Sequence, residues 1–427
     1  MQRFRFIAMV VVLGATLGAE SWRPLQAQDD SPYEQDYPVM NYGSAPLQDV
    51  VTELQAQIDS GEVSLKFDSQ RGYLDATLAA LDISTTSQLL VFSRTSVQQP
   101  LISPQTPRAI YFNEDVYVAW VQKSNLLEIA SMDPNLGPVF FTLNQIESKT
   151  PQFNREFRSC LRCHDSFSLT GSGTPRFMMS SNYTGVAGQL VSHEGSIMTT
   201  SRTPIRSRWG GWYVTGFHGE QRHLGNVLVQ TAADIADENL ARMGNRENLS
   251  TLTEIDPYIT PYSDIVALLV IEHQIEVQNK IARTNFHART LLEKKEDLED
   301  DEVARGLEVL GEELLHSLFM VGQPPLTDAI EGTSGFTEAF EEAGRKDGQG
   351  RSLWDLAMEQ RLFKHPLSYQ IYSNAYASLP AQIKEIVATR MEEILSDDNN
   401  EDTYAHLSDE DKQAIREILS ATNWRQS

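Results

Sequence analysis

Cys160 and Cys163 are the only two cysteines in 427 residues, and His164 follows them directly within "RSCLRCHDSF", residues 158–167. Residues three apart share one face of a helical turn, so both thiols are aimed the same way with an imidazole next in line. Cys-x-x-Cys-His in an exported chain is the attachment signature of a c-type haem. The thiols reach the vinyl groups at one porphyrin edge and form thioethers, and the imidazole comes under the iron as an axial ligand. One copy of the motif predicts one covalent haem c on Cys160, Cys163 and His164, with His164 as the proximal iron ligand. Two other chemistries compete. A disulfide forms in an oxidising compartment, but a redox-active Cys-x-x-Cys normally sits in a thioredoxin-like βαβ pattern, and no such pattern surrounds this one. Zinc needs three or four protein ligands, usually from two separated pairs, and the chain has no second pair.

The sixth iron ligand decides between electron carriage and catalysis. Small cytochromes c use a methionine there, and others a second histidine. The segment offers Met178, Met179 and Met198, and His193, His218 and His223. "RFMMSS" reads as a strand with a buried face, which makes Met178 or Met179 core filling. His218 and His223 flank a Gly-Glu-Gln-Arg turn at the end of the aromatic run "RWGGWYVTGFHG". Loop histidines in that position reach a flat cofactor, so His218 or His223 is the candidate distal ligand. Trp209, Trp212 and Tyr213 either pack on the porphyrin or are ordinary core aromatics.

Haem attachment needs export, and the first residues supply a signal. Arg3 and Arg5 make a basic start, and Phe6 to Ala19 is an apolar run of about fourteen residues, too short for a stable transmembrane helix. Cleavage falls after Leu25-Gln26-Ala27, with Ala19 as the alternative, so residues 1–27 are read as a signal peptide. No cysteine lies near the cut, which excludes a lipoprotein anchor. The longest later apolar run, Ile265 to Ile271, is far short of a span. The mature chain is expected to be periplasmic or secreted, with no membrane span.

The net charge is −24, and −26 once the three Arg and one Glu of residues 1–27 are removed. This excludes nucleic acid and anionic membrane surfaces as partners. The 41% hydrophobic content argues against disorder. Arg155 to Arg222 holds eight Arg, no Lys and four acids, a net of +4, whereas residues 231–427 carry 38 acids against 18 bases, a net of −20. Guanidinium is suited to gripping carboxylates bidentately. Arg158, Arg162, Arg176, Arg202, Arg206, Arg208 and Arg222 are therefore candidates to clamp haem propionates or line a docking face; ordinary pairing with the acidic remainder is the competing explanation.

Several kinds of element must position these residues. Helical spacing covers Leu47 to Ile58 and Gly72 to Ile83. The period then shortens to runs at 88–93, 109–112, 116–121, 126–131 and 139–143, with 109–121 reading as a hairpin. More strand-like pieces follow in residues 151–230: "RFMMSS", "GWYVTGF" and "NVLVQ". After about residue 231 the texture is helical, at 262–299, 303–319, 335–344, 352–363 and 380–396, and Asp409 to Ala421 behind a Ser408–Asp411 capping box. The fold class is α+β: a mixed N-terminal half with antiparallel strands (28–150), a haem-binding middle segment (151–230) and a mainly helical acidic C-terminal half (231–427). On the long helix, Glu272, His273 and Glu276 have metal-ligand spacing, but without a second copy they read as an exposed charged face.

The runs "PRAIYFNEDVYVAWV", "CLRCH", "RWGGWYVTGFHGEQRHLGN" and the long helix with "IEHQ" resemble a family of exported, mono-haem cytochrome c domain proteins without a settled biochemical role. The likeness extends through "HPLSYQIYSNAYASLP" and "LSDEDKQAIREIL" and covers most of the mature chain. It implies haem binding and redox work, and no substrate. Cys160, Cys163 and His164 match the family's attachment site, and His218 and His223 fall in its Trp-Gly-Gly-Trp block. The family often has Met after the second of these histidines; here that position is Leu224, which rules out a Met ligand there.

The expected function is an exported c-type cytochrome that transfers electrons to or from a redox partner protein. The alternative is a haem-dependent oxidoreductase with an open distal site acting on a small substrate or peroxide. A third class is an interaction protein whose acidic C-terminal half docks a basic partner in a salt-sensitive way.

Overall fold

Short β-branched and aromatic runs build one six-stranded sheet in this computed structural model, which describes residues 39–166, 173–191, 196–236, 244–296 and 299–426. The expected signal segment, residues 1–27, and His193 lie outside the described residues. The strands are β1 (Leu89–Val91), β2 (Arg108–Phe112), β3 (Val116–Trp120), β4 (Leu126–Asp133), β5 (Gly137–Asn144) and β6 (Phe153–Arg155), an antiparallel meander in chain order. Side-chain amide and carboxylate groups close its turns. Asn113 Oδ1 accepts from the backbone N–H of Asp115 and Val116, and Asp133 Oδ1 from those of Asn135 and Leu136. Such bonds satisfy backbone that the ladder cannot reach.

Both faces of this sheet are covered. Alternation sends Tyr111, Val118, Ile129, Phe141 and Leu143 to one face, against α1 (Val50–Ser60) and α2 (Leu74–Ala80). Fully burying each such side chain contributes about 1.5–3 kcal/mol. Phe112, Tyr117, Met132 and Phe140 point the other way, into a second core. The motif helix α3 (Arg158–His164) follows β6, and a two-stranded ribbon of β7 (Ser180–Ser181) and β8 (Ile197–Met198) follows that.

Beyond Met198 the described residues form no further strand. The second core is built on α4 (Ile265–Glu293), α5 (Asp300–Leu318), α6 (Phe336–Ala343), α7 (Asn374–Ala377), α8 (Ala381–Ile394) and α9 (Asp409–Ala421). Asp264 caps α4: one carboxylate oxygen accepts from Val266 and Ala267 N–H, the other from Thr333 and Ser334 N–H. This buried acid thus has four donors, the condition under which a charge is tolerated inside. Ser408 and Asp411 form a capping box on α9.

Three expectations fail, the first being "RFMMSS", of which only Ser180–Ser181 is strand. Residues 352–363 do not form a helix: Ser352 Oγ accepts from Trp354 N–H and Asp355 Oδ2 from Ser352 N–H, and Leu356 bridges Phe363. Local side-chain bonds here compete with the helical ladder, and Leu353, Trp354 and Phe363 are buried in the second core. The strand-like pieces "GWYVTGF" and "NVLVQ" are not strands either. Trp212, Thr215, Gly216 and Phe217 each make an isolated bridge, to Val91, Asp264, Arg246 and Glu331 respectively. Apolar alternation there reflects a segment threaded through the interior between several partners, and no single neighbour runs beside it long enough to form a ladder.

Candidate haem-attachment site

One turn of α3 carries the motif. Leu161 packs inward against both cores, Cys160 is half-buried, and Cys163, Arg158 and Arg162 face solvent. Both thiols are free, with no disulfide between them. Burial pushes the Cys160 thiol up to about 12, and Glu156 and Glu128 add to this against a Ser159 hydroxyl contact. A redox-active Cys-x-x-Cys needs its attacking thiol shifted the other way.

His164 is clasped from one side. Its backbone C=O accepts from Arg176 N–H at 2.8 Å, and its Nδ1 lies 2.6 Å from Arg176 O. A carbonyl can only accept, so the Nδ1 side bears the proton and Nε2 keeps its lone pair. Nε2 has no hydrogen-bond partner among the described residues. The ring packs at a tilt against Phe140, with ring centres 4.4 Å apart. Burial holds its pKa below the usual value, and the charge of Arg108 adds to this against the Arg176 carbonyl bond. The imidazole is therefore neutral near pH 7, the form that binds a metal. A second-shell carbonyl of this kind orients a ligating ring.

The sheet carries Arg108 and Glu128 close to the motif. A row across it runs Ile110, Ala119, Glu128, Thr142, and Ala130 lies between Tyr117 and Phe140 in the next row. On this face Ile110 and Ala130 are only half-buried and, like Cys160, pack against the second core. Arg108 and Glu128 pair at 2.9 Å beside it, and Arg108 Nε is buried without a partner among the described residues. The donor set fits a covalently attached haem: two free thiols on one turn and a neutral imidazole with a bare Nε2.

The candidate distal histidines bond to each other. His223 Nε2 is 3.2 Å from His218 Nε2, and both rings are buried. Gly225 N–H donates to His223 Nδ1 at 3.0 Å. His223 must therefore carry its proton on Nε2 and donate it to His218, so neither Nε2 lone pair is free. His223 also meets Trp209 edge-to-face at 5.2 Å between ring centres, and burial, reinforced by His218, drives its pKa to about 3. Neither histidine shares a hydrogen bond or ring contact with His164. The helix α4 measures the separation: Arg208, next to Trp209, is held at Glu272, whereas Phe177, next to Arg176, is held at Asn279. Seven residues are roughly 10 Å along a helix. Met179 is buried and Met178 half-buried, while Met198 is exposed on the β7–β8 ribbon. Trp209, Trp212 and Tyr213 are all buried, the last two donating to Ser180 O and Pro104 O.

The arginine-rich stretch is not one open face. Arg208 is buried and pairs with buried Glu272 at 2.8 Å, and Arg202 pairs with Glu276 at 3.4 Å. The Glu272–His273–Glu276 group is not an exposed charged face either. Glu272 and His273 are fully buried, with His273 Nε2 2.8 Å from Ser368 Oγ, and Glu276 accepts from Ser201 N–H. Each residue in the group has its own structural partner. Among the described residues no cluster of three or more His, Cys, Asp or Glu is placed to hold a metal ion. Sequence reasoning missed Arg108, although its spacing from Ile110 and Phe112 put it on the same sheet face. A groove of about 570 Å³ between α5 and α8, lined by Glu308, Val309, Glu312 and Ile386, holds no candidate site residue. No helix among the described residues is long and apolar enough to cross a membrane.

No family model matches this chain, and no similar curated protein or solved structure is found.

Proposed function

We propose that the protein is an exported c-type cytochrome, periplasmic or secreted, that carries one covalent haem on Cys160, Cys163 and His164 and transfers electrons with a redox partner protein. The observation that carries this reading is the His164 clasp, because the Nδ1 bond to Arg176 O leaves Nε2 bare beside two free thiols. Bound haem supplies an iron that cycles between ferric and ferrous states. The protein's own part is to fix the ring through Arg176, pack it against Phe140 and keep the imidazole neutral. In this reading residues 151–230 are a haem-binding segment between the sheet-containing and helical regions.

The test is to produce the full chain in a host with haem-attachment machinery and extract it with acid and organic solvent. One haem is expected to stay with the denatured chain, and the Cys160→Ala/Cys163→Ala double variant is expected to lose it. A wild-type chain that releases all its haem, or never acquires any, refutes the proposal.

One observation favours the oxidoreductase as a second reading. The histidines nominated for the distal position are bonded to each other at another level of α4, which favours an exchangeable sixth position. Rapid carbon monoxide binding by the reduced protein, with turnover of a peroxide, supports that reading. A low-spin spectrum indifferent to carbon monoxide removes it.

A further inference from the structure

A line of aromatic rings leads away from His164 through the second core. The His164 ring meets Phe140 with ring centres 4.4 Å apart, and Phe140 meets Phe177 edge-to-face at 6.3 Å. Phe177 in turn lies 4.8 Å from Tyr117. Strand register fixes this start: Tyr117 and Phe140 flank Ala130 in one cross-strand row, about 10 Å apart across two strand spacings. From Tyr117 a single amide bridges to the next phenol. Gln274 Nε2 donates to Tyr117 Oη at 2.7 Å, and Tyr369 Oη donates to Gln274 Oε1 at 2.7 Å. Tyr369 lies 5.1 Å from Trp354, and Trp354 stacks with Tyr372 at 5.5 Å. The exposed Arg345 guanidinium lies over the Tyr372 ring at 4.8 Å.

Of the aromatic side chains, tyrosine and tryptophan give up one electron most readily, and each releases its O–H or N–H proton when it does. The proton acceptors along this line differ. Tyr117 donates to the Gln278 amide oxygen at 2.6 Å and Tyr369 to the Gln274 amide oxygen, while Tyr372 pairs with the Thr422 hydroxyl. Neither an amide nor a hydroxyl takes up a proton near neutral pH. Trp354 Nε1 instead donates to Glu114 Oε1 at 2.6 Å, a bond to a carboxylate. Burial raises the Glu114 pKa to about 7, the Trp354 bond and Arg345 working against it and Asp115 with it. Glu114 is therefore a stronger base than an ordinary carboxylate. Trp354 is itself 2% exposed, out of reach of a dissolved reagent.

We propose that this line is a one-electron relay ending at Trp354, which is oxidised when a peroxide reacts at the haem and passes its indole proton to Glu114. This rests on the oxidoreductase reading of the attachment site. Hydrogen peroxide takes two electrons and two solvent protons to give two waters. One electron comes from iron passing from ferrous to ferric. The other comes from Trp354 by way of Tyr369, Gln274, Tyr117 and the two phenylalanines. Trp354 is left as a neutral indolyl radical and Glu114 as the carboxylic acid.

The test mixes the full haem-loaded chain, reduced beforehand, with hydrogen peroxide at about pH 8, where a group of pKa about 7 is mostly charged. Samples frozen within milliseconds are read by electron paramagnetic resonance, and oxidised residues by peptide mass spectrometry. Wild type is expected to give a neutral tryptophan radical and oxidation products at Trp354, which peptide mapping locates without any variant. Trp354→Phe should lose both, and Trp424→Phe should keep both. Tyr369→Phe keeps the ring and removes the phenol, so it should slow the tryptophan signal at an unchanged rate of haem oxidation. Glu114→Gln replaces a half-buried side chain by one of equal size, so it should keep the fold and the haem spectrum and lose the neutral-radical signal. A chain without covalent haem, or ferrous haem that peroxide leaves unoxidised, overturns the oxidoreductase reading and this inference with it. Ferric haem formed with no tryptophan radical and no product at Trp354, a signal that survives Trp354→Phe, or an unchanged signal in Glu114→Gln overturns the inference while leaving that reading standing.

Discussion

Replacing Arg208 by methionine separates the structural arginines from those near the motif. Its Nη1 lies 2.8 Å from Glu272 Oε2, and the two side chains are 4% and 0% exposed. Its Nε and Nη2 donate to Thr203 O at 2.5 Å and Ser201 O at 2.7 Å. One guanidinium thus fastens the loop before it to α4. Removing one member of a buried pair leaves an uncompensated charge and costs about 3–5 kcal/mol. Unfolding entropy of about 2.1 cal/mol/K per residue gives roughly 0.9 kcal/mol/K for a chain this long, so Tm should fall by about 3–6 °C. The loss should depend on pH. Burial raises the Glu272 pKa even with Arg208 beside it, and without Arg208 it rises further. A group raised in the folded state lends stability below its unfolded pKa, about 4.3, and loses it as pH rises through the folded value. The deficit of Arg208→Met should therefore be smaller near pH 5 than near pH 8. Denaturant unfolding at both pH values measures it. A loss under about 1 kcal/mol at pH 8, or one that shrinks as pH rises, would refute the argument.

Other consequences are accessible to similar measurements. His223→Phe should lower stability by about 1–3 kcal/mol, because His218 Nε2 loses its buried donor, while the haem spectrum stays unchanged; a shift to high-spin iron would instead make His223 a ligand. Burial drives His223 and His273 to pKa values of about 3. Groups lowered in the folded state lose their contribution as pH falls, so stability should decline from about pH 6.5 downward, and His273→Gln should flatten that decline. Glu114, raised to about 7 by burial while accepting from Trp354 Nε1 at 2.6 Å, acts in the opposite direction. Wild-type stability relative to Glu114→Gln should fall as pH rises from about 4.5 through 7, and an unchanged difference would rule out a buried, titrating Glu114.

The local part of this architecture was legible. The Asn113 and Asp133 turns, the sheet alternation and the Ser408 capping box are settled within a few residues of chain, and sequence carries such information directly. The motif lies on a single short helix, α3, as its spacing implies. What escaped was long-range. Nothing in "IEHQ" says that Glu272 meets Arg208, 64 residues earlier, inside the protein. Charge on a helix reads as an exposed face by default, and burial reverses that only when a partner arrives from far along the chain. His218 and His223 are a related case: as candidate distal ligands they read as open loop histidines, whereas their rings are buried and bonded to each other. Their five-residue separation is local, and they satisfied each other.

The 29-residue helix α4 explains how a segment with so little secondary structure of its own can hold a site. It spans about 43 Å at fixed register, and its polar side chains take hold of surrounding segments in order. Asp264 holds Thr333, Glu272 holds Arg208, Glu276 holds Ser201 and Asn279 holds Phe177. On its sheet side Gln274 and Gln278 donate to Asn113 O and Glu114 O. Asn279 is the contact that reaches the motif, because Arg176, next to Phe177, orients His164. Asn279→Leu preserves volume and removes both bonds, so it should cost about 1–3 kcal/mol and also alter the haem spectrum or potential. Arg208→Met, with the larger stability loss, should leave both unchanged. The opposite pattern, a spectral change in Arg208→Met and none in Asn279→Leu, would show that His164 is positioned by some element other than α4.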